Sequence, residues 1–214
     1  MSDFYFHIED YILNHSDSED PVLAELNRET NLKILRPRML SGHLQGKILE
    51  MISKMIQPQK ILEIGTYTGY SAICLAKGLK NNGTLHTIEL NDELEQFIRK
   101  YFNKAGLENQ IKLHIGNALE IIPKIDEPFD LVFIDGDKRE YLQYYHSVLE
   151  YVKPGGFILA DNVLWSGKVI EQELPDDEYT KGIIEFNEWV KNDHRIEKVI
   201  LPLRDGLTLI RKKN

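Results

Sequence analysis

With a single cysteine, Cys74, among 214 residues, the chain has no partner for an internal disulfide. A lone thiol set between Ile73 and Leu75 reads as a small buried apolar residue. Positive charge is also short: 26 lysines and arginines face 34 aspartates and glutamates, a net charge of -8. Broad electrostatic binding of nucleic acid usually needs a basic surface, so that class is disfavoured, while a local basic patch stays open. No apolar run approaches membrane-spanning length, and the opening MSDFYFHIED lacks a basic flank leading into an apolar stretch. A cytoplasmic protein without membrane contact is the expectation. The seven histidines form no cluster with the cysteine, which argues against a zinc site. Internal repeats and low-complexity tracts are missing as well.

What is present is an alternation. From Lys60 onward short apolar runs alternate with amphipathic segments, the pattern of a mostly parallel sheet covered by helices. Strands are expected at 60–64, 84–88, 111–115, 129–134 and 156–160, with helices at 69–80, 91–105, 117–122 and 139–152. Gly106 stands where a C-cap belongs, and Lys153-Pro154-Gly155-Gly156 should stop the last of these helices. After a helix at about 178–192, RIEKVILPL and DGLTLIRKK follow with nothing helical between them. Arg204-Asp205-Gly206 supplies a turn, so the two runs should pair as an antiparallel hairpin. Five parallel strands and a terminal hairpin make a seven-stranded α/β sheet of the class I methyltransferase (Rossmann-like) plan. A dehydrogenase would reach its sixth strand through another crossover helix. Residues 1–59 read as an N-terminal helical cap and lid on one domain whose sheet core is 60–214. One helix begins at Pro21 with Asp20 as its N-cap. Another runs over about 42–57, with Leu44, Ile48, Leu49, Ile52, Met55 and Ile56 as its core-facing stripe.

The loop Ile61 to Ser71, ILEIGTYTGYS, is the most informative stretch. An apolar strand ends in Glu63-Ile64-Gly65, and Gly69 opens a helix. Glycine permits close backbone approach and positive φ. Tyr67 and Tyr70 stand where a dinucleotide fingerprint needs small residues, and no Gly-Lys-Ser/Thr closes a P-loop. The loop therefore suits a cofactor without pyrophosphate. Glu89, at the end of the second strand, is placed to accept both hydroxyls of a ribose; a solvated carboxylate near a helix N-terminus is the alternative. Two acidic clusters follow, Asp135-Gly136-Asp137-Lys138 after FDLVFI and Asp161-Asn162 after GFILA. Aspartates at strand ends are often turn residues. Two clusters on consecutive strand ends beside a cofactor loop favour a metal: Asp135, Asp161 and Asn162 offer hard oxygens suited to Mg²⁺.

EIGTYTGYS from Glu63, the acidic Glu89, GNALEIIP from Gly116, FIDGDK from Phe133, LADNVLWSGKV from Leu159 and LPLRDGLTLIRKK from Leu201 together resemble the metal-dependent O-methyltransferases that include catechol and caffeoyl-coenzyme A O-methyltransferases. The resemblance covers nearly the whole chain from Met39. It implies S-adenosylmethionine as cofactor, held by Glu63, Gly65, Ser71, Glu89 and Ala118 with the Met39–Ser41 segment over it; Thr66, Tyr67 and Asp135 are counted with them. It implies Mg²⁺ or another divalent cation on Asp135, Asp161 and Asn162, Lys138 as catalytic base, and a homodimer. The resemblance departs at Asn117, where many relatives carry aspartate, and it transfers no acceptor pocket.

The expected chemistry is in-line methyl transfer to an acceptor oxygen. A cation chelated by two vicinal oxygens favours the ionised form of one, and it also favours a neutral amine on a nearby lysine such as Lys138. Three readings follow: a small-molecule enzyme acting on catechol-like or caffeoyl hydroxyls, a tRNA wobble hydroxyuridine methyltransferase using Arg36 and Arg38 on phosphates, or a binding protein without catalysis. The acidic balance favours the first. The aromatic N-terminus (Phe4, Tyr5, Phe6, Tyr11) is read either as part of an interface or as a cap on the core.

Overall fold

The computed structural model describes residues 8, 10–171 and 176–214, so Phe4, Tyr5 and Phe6 lie outside it. One seven-stranded sheet organises the chain, in the order β3-β2-β1-β4-β5-β7-β6. The strands are β1 (Lys60–Ile64), β2 (Thr84–Glu89), β3 (Ile111–Ile115), β4 (Phe129–Ile134), β5 (Val152–Asp161), β6 (Ile196–Leu201) and β7 (Leu207–Lys212). β1 to β5 pair in parallel, while β7 pairs antiparallel with both β5 and β6. The expected strand plan and hairpin are therefore the observed ones.

Helices cover both faces, so the inner strands are apolar on both sides. Ile61, Leu131 and Phe133 point toward α1 (Pro21–Lys33), α2 (Gly42–Ile56), α3 (Tyr70–Ala76) and α4 (Glu95–Lys104). Leu62, Ile64, Val132 and Ile134 point the other way, toward α5 (Ala118–Ile125), α6 (Tyr141–Leu149) and α7 (Glu178–Asn192). Asp20 caps α1 through its carboxylate, which accepts from Val22 N at 2.8 Å, with Pro21 at the first helical position. Cys74 is buried on α3, and no described helix is long and apolar enough to cross a membrane.

Two local expectations are corrected. Lys153-Pro154-Gly155-Gly156 does not end a helix; α6 stops at Leu149, and these residues lie inside β5. A two-residue step on β4, Phe129 to Leu131, faces a five-residue step on β5, Val152 to Phe157. The surplus forms a bulge in which Gly155 takes φ +78° and Pro154 has no N–H to misplace. The second correction concerns α2. Its buried residues are Gln45, Gly46, Leu49, Glu50 and Ser53, whereas Met55 is 80% exposed and Leu44, Ile48, Ile52 and Ile56 are only half-buried. Of the expected stripe, Leu49 alone is fully inside. Close packing explains the rotation: a Cβ on Gly46 would sit 2.5 Å from the Tyr70 ring and 2.8 Å from Cys74 Sγ. A Cβ on Gly78 would sit 2.3 Å from Ser53. The small, polar face is the one that lets α2 approach α3.

Candidate active site

The chain runs outward from β1 to β2 and β3, then returns to β4 beside β1. At that reversal the loops after β1 and β4 diverge and leave a crevice at the strand carboxyl ends. The resulting cleft has a volume of ≈ 670 Å³. Gly65 marks its floor. It has φ +95°, and a Cβ there would stand 2.2 Å from the Asp135 carbonyl. The glycine is thus required by the neighbouring strand end as well as by its own turn.

Glu89 organises the cofactor side. Its Oε2 accepts from the Tyr67 backbone N at 2.7 Å and its Oε1 from Asn91 N at 2.9 Å. Burial raises its carboxyl above the usual range despite these donors. Tyr67, at φ +49°, carries its hydroxyl back to the carbonyls of Leu35 and Arg36, at 3.1 and 3.2 Å. The loop and the segment preceding α2 are joined there. Ser71 and Ala118 open α3 and α5 at the cleft wall. Asn117 caps α5 by accepting from Leu119 N at 2.8 Å, so its side chain has a structural task of its own.

Two expected cofactor residues are placed differently from their neighbours. The Thr66 hydroxyl is turned inward, 2.5 Å from that of Thr87, leaving its backbone to the cleft. Glu63 lies beneath the cleft, fully buried, and accepts from Thr87 Oγ1 at 2.5 Å. Its other oxygen has no partner. Burial pushes the Glu63 carboxyl up to about 8, so it is mostly protonated at neutral pH. Glu63 supports the loop as a neutral acid through Thr87 and Thr66.

Opposite, β4 and β5 deliver the acidic clusters. Lys138 is 7% exposed; its Nζ donates to Asp135 Oδ1 at 2.7 Å and to the Tyr141 hydroxyl at 2.6 Å. Tyr141 in turn donates to the Asp161 carbonyl at 2.8 Å. Burial pushes the Asp135 carboxyl up to about 6 against the pull of Lys138, and the charge of Asp161 adds to the rise. Asp161 accepts from Gln45 Nε2 at 2.6 Å on Oδ2 and from Asn162 N at 2.9 Å on Oδ1. Asn162 adopts φ +57°, a region asparagine tolerates. Asp135 Oδ2 and the Asn162 carboxamide have no hydrogen-bond partner among the described residues. Asp135 and Asn162 therefore each keep an oxygen free to take a hard cation, while each Asp161 oxygen accepts one hydrogen bond and keeps a second lone pair.

Apart from Glu63, every site residue read from the sequence lines this one cleft: Met39, Ser41, Gly65, Thr66, Tyr67, Ser71, Glu89, Ala118, Asp135, Lys138, Asp161 and Asn162. Several residues given no site role by the sequence join them. Trp165 and Tyr179 stack with centroids 6.2 Å apart and planes 16° apart, and the Arg139 guanidinium lies 4.9 Å over the Tyr179 ring. Arg204 reaches in from the hairpin turn to Gln45 Oε1 at 2.6 Å. An aromatic residue between helices is ordinarily core, so nothing in the spacing singled these out.

A family model described as O-methyltransferase matches residues 13–213. A catechol O-methyltransferase of Niastella koreensis is 35% identical over 200 residues, covering 89% of each chain. Caffeoyl-CoA O-methyltransferase 1 of Zea mays is 36% identical, across 94% of this chain and 83% of the relative. The O-methyltransferase TomG of Streptomyces achromogenes, solved with S-adenosylmethionine, superposes with a TM-score of 0.90 at 28% identity over 97% of this chain and 96% of that one. A Bacillus cereus O-methyltransferase with S-adenosylhomocysteine gives 0.88 at 30% identity over 97% of both. The chain belongs to the O-methyltransferase family as an enzyme that uses S-adenosylmethionine.

Proposed function

We propose that the acceptor is a small aromatic vicinal diol of the catechol or caffeoyl kind, methylated on one hydroxyl in a reaction that depends on a divalent cation. The observation that carries this reading is the convergence of Asp135, Lys138, Asp161 and Asn162 in one cleft with the cofactor loop. Burial raises the Asp135 carboxyl, and the nearby charge of Asp161 adds to the rise. A cation held by Asp135, Asp161 and Asn162 would favour the ionised form. When bound, Mg²⁺ would supply Lewis acidity that makes a chelating hydroxyl easier to ionise.

Lys138, as the neutral amine, takes the acceptor's proton at Nζ. The ammonium so formed is held by Asp135 Oδ1 and the Tyr141 hydroxyl, the two partners it has in the structure. Burial keeps the Tyr141 phenol well above its ordinary range, so it stays a hydrogen-bonding group and does not compete for the proton. Trp165 and Tyr179 offer a flat wall for the acceptor ring. The names of the relatives, catechol and caffeoyl-CoA O-methyltransferases, point to the same acceptor class. A cytoplasmic homodimer completes the reading; Met51 and Met55, 51% and 80% exposed on α2, offer apolar surface for a second copy.

The test uses labelled S-adenosylmethionine with matched acceptors, a catechol and the corresponding monophenol, with and without Mg²⁺. The catechol should be methylated only with the cation and the monophenol hardly at all. Equal transfer to both, or transfer confined to hydroxyuridine-bearing RNA, overturns the proposal.

A further inference from the structure

Gln45 is 1% exposed on α2, in the middle of the face that the apolar pattern does not mark. A buried carboxamide needs partners for both its ends. Its Nε2 donates to Asp161 Oδ2 at 2.6 Å, and its Oε1 accepts from Arg204 Nη1 at 2.6 Å. The orientation of the amide is forced: a carboxylate cannot donate and a guanidinium cannot accept. The same Arg204 nitrogen donates to the Ser41 carbonyl, so Ser41 O and Gln45 Oε1 together use its two protons. Arg204 is fixed in turn by its place in the hairpin turn, at φ +47°, where Leu164 N bonds the Asp205 carbonyl at 2.9 Å.

We infer that Gln45 and Arg204 are positioning residues, a strut that orients the Asp161 carboxylate and ties it to the strap over the cofactor side, Pro37 to Ser41. The part concerning Asp161 rests on the proposed metal role. Groups that orient a ligating carboxylate commonly change metal affinity by about 10–100-fold when removed. Arg204 reaches Asp161 only through the Gln45 amide, while its charge also acts directly on Asp135. Removing that positive charge favours a cation, so Arg204→Ala should cost less cation affinity than Gln45→Leu. On the strap they separate: Arg204 touches Ser41 directly, and Gln45 does not.

The experiment measures Mg²⁺ affinity by calorimetry for wild type, Gln45→Leu and Arg204→Ala, with thermal melts to confirm folding. Gln45→Met, which keeps length without the donor, replaces Leu if that variant does not fold. Amide exchange of Met39 and Leu40 is followed in the metal-free proteins. Gln45→Leu should weaken Mg²⁺ binding about tenfold or more. Arg204→Ala should weaken it less than Gln45→Leu does. Arg204→Ala alone of the single changes should speed strap exchange several-fold. Mg²⁺ affinity unchanged in Gln45→Leu, a loss in Arg204→Ala as large as that in Gln45→Leu, or strap exchange indifferent to Arg204→Ala each overturn the inference while the metal role stands. Wild-type protein that binds no Mg²⁺ overturns both.

Discussion

Lys138 and Tyr141 are joined by a 2.6 Å hydrogen bond from Nζ to the phenolic oxygen, and the phenol O–H donates to the Asp161 carbonyl at 2.8 Å. The end of β4 and the end of β5 are thereby braced through a lysine that is already in place. Such a lysine has little conformational freedom to lose when an acceptor arrives. Replacing it should act on the chemical step. Lys138→Ala should lower the single-turnover rate by about 10²- to 10⁴-fold, the usual range for a positioned base, with cofactor affinity changed little. Tyr141→Phe should lower it less and reduce stability by about 1–3 kcal/mol, because it strips a donor from a buried carbonyl. Rapid-quench kinetics with calorimetry on each variant checks both; a near-normal rate in Lys138→Ala removes it from the mechanism.

Exhaustive chelation should abolish turnover, and Mg²⁺ should restore it. The basis is the unpartnered oxygen of Asp135 beside Asp161 and Asn162. Asp161→Asn should raise the Mg²⁺ concentration needed for half-activity while leaving S-adenosylhomocysteine binding close to wild type. Full activity after chelation, with metal content verified by elemental analysis, would sink the metal role.

Glu89 holds two backbone donors and faces the cleft. If Glu89 accepts from ribose, Glu89→Ala should weaken S-adenosylmethionine binding by about 10-fold or more, since those bonds would go together with the support of Tyr67. Glu89→Gln should recover part of this by retaining an acceptor. Calorimetric affinities equal to wild type in both variants count against the assignment.

Glu63 gives the ligand-free protein a distinctive pH response. Its carboxyl is raised to about 8 by burial, from 4.5 in the unfolded chain. Between those values the folded state binds the extra proton, so its contribution is fully present below the unfolded value and is lost as pH rises through 8. Glu63→Gln stays neutral and removes this dependence. Its stability relative to wild type should therefore climb between pH 5 and 8, by at most about 1.4 kcal/mol per pH unit. Denaturation midpoints measured across that range should diverge with rising pH; parallel curves would show that Glu63 is ionised in the fold.

The alternation of short apolar runs with amphipathic segments, the hairpin marked by Arg204-Asp205-Gly206 and the acidic residues at strand ends were all legible in the sequence. Each is a local matter: strand and helix periods, turn chemistry, and the rule that ligands gather at the carboxyl ends of parallel strands. Asp135, Asp161 and Asn162 could be placed at the cleft from sequence because they close or directly follow β4 and β5. Tertiary structure alone decided what depends on distant partners. The buried face of α2 was misread because apolar spacing ignores the close approach that Gly46 allows against Tyr70 and Cys74. Gln45 finds Asp161 across 116 positions, and Arg204 finds Ser41 across 163, separations that no window of sequence spans. The protonation of Glu63 follows the same logic, since a carboxylate at a strand end ionises or stays neutral according to how completely the rest of the fold removes it from water.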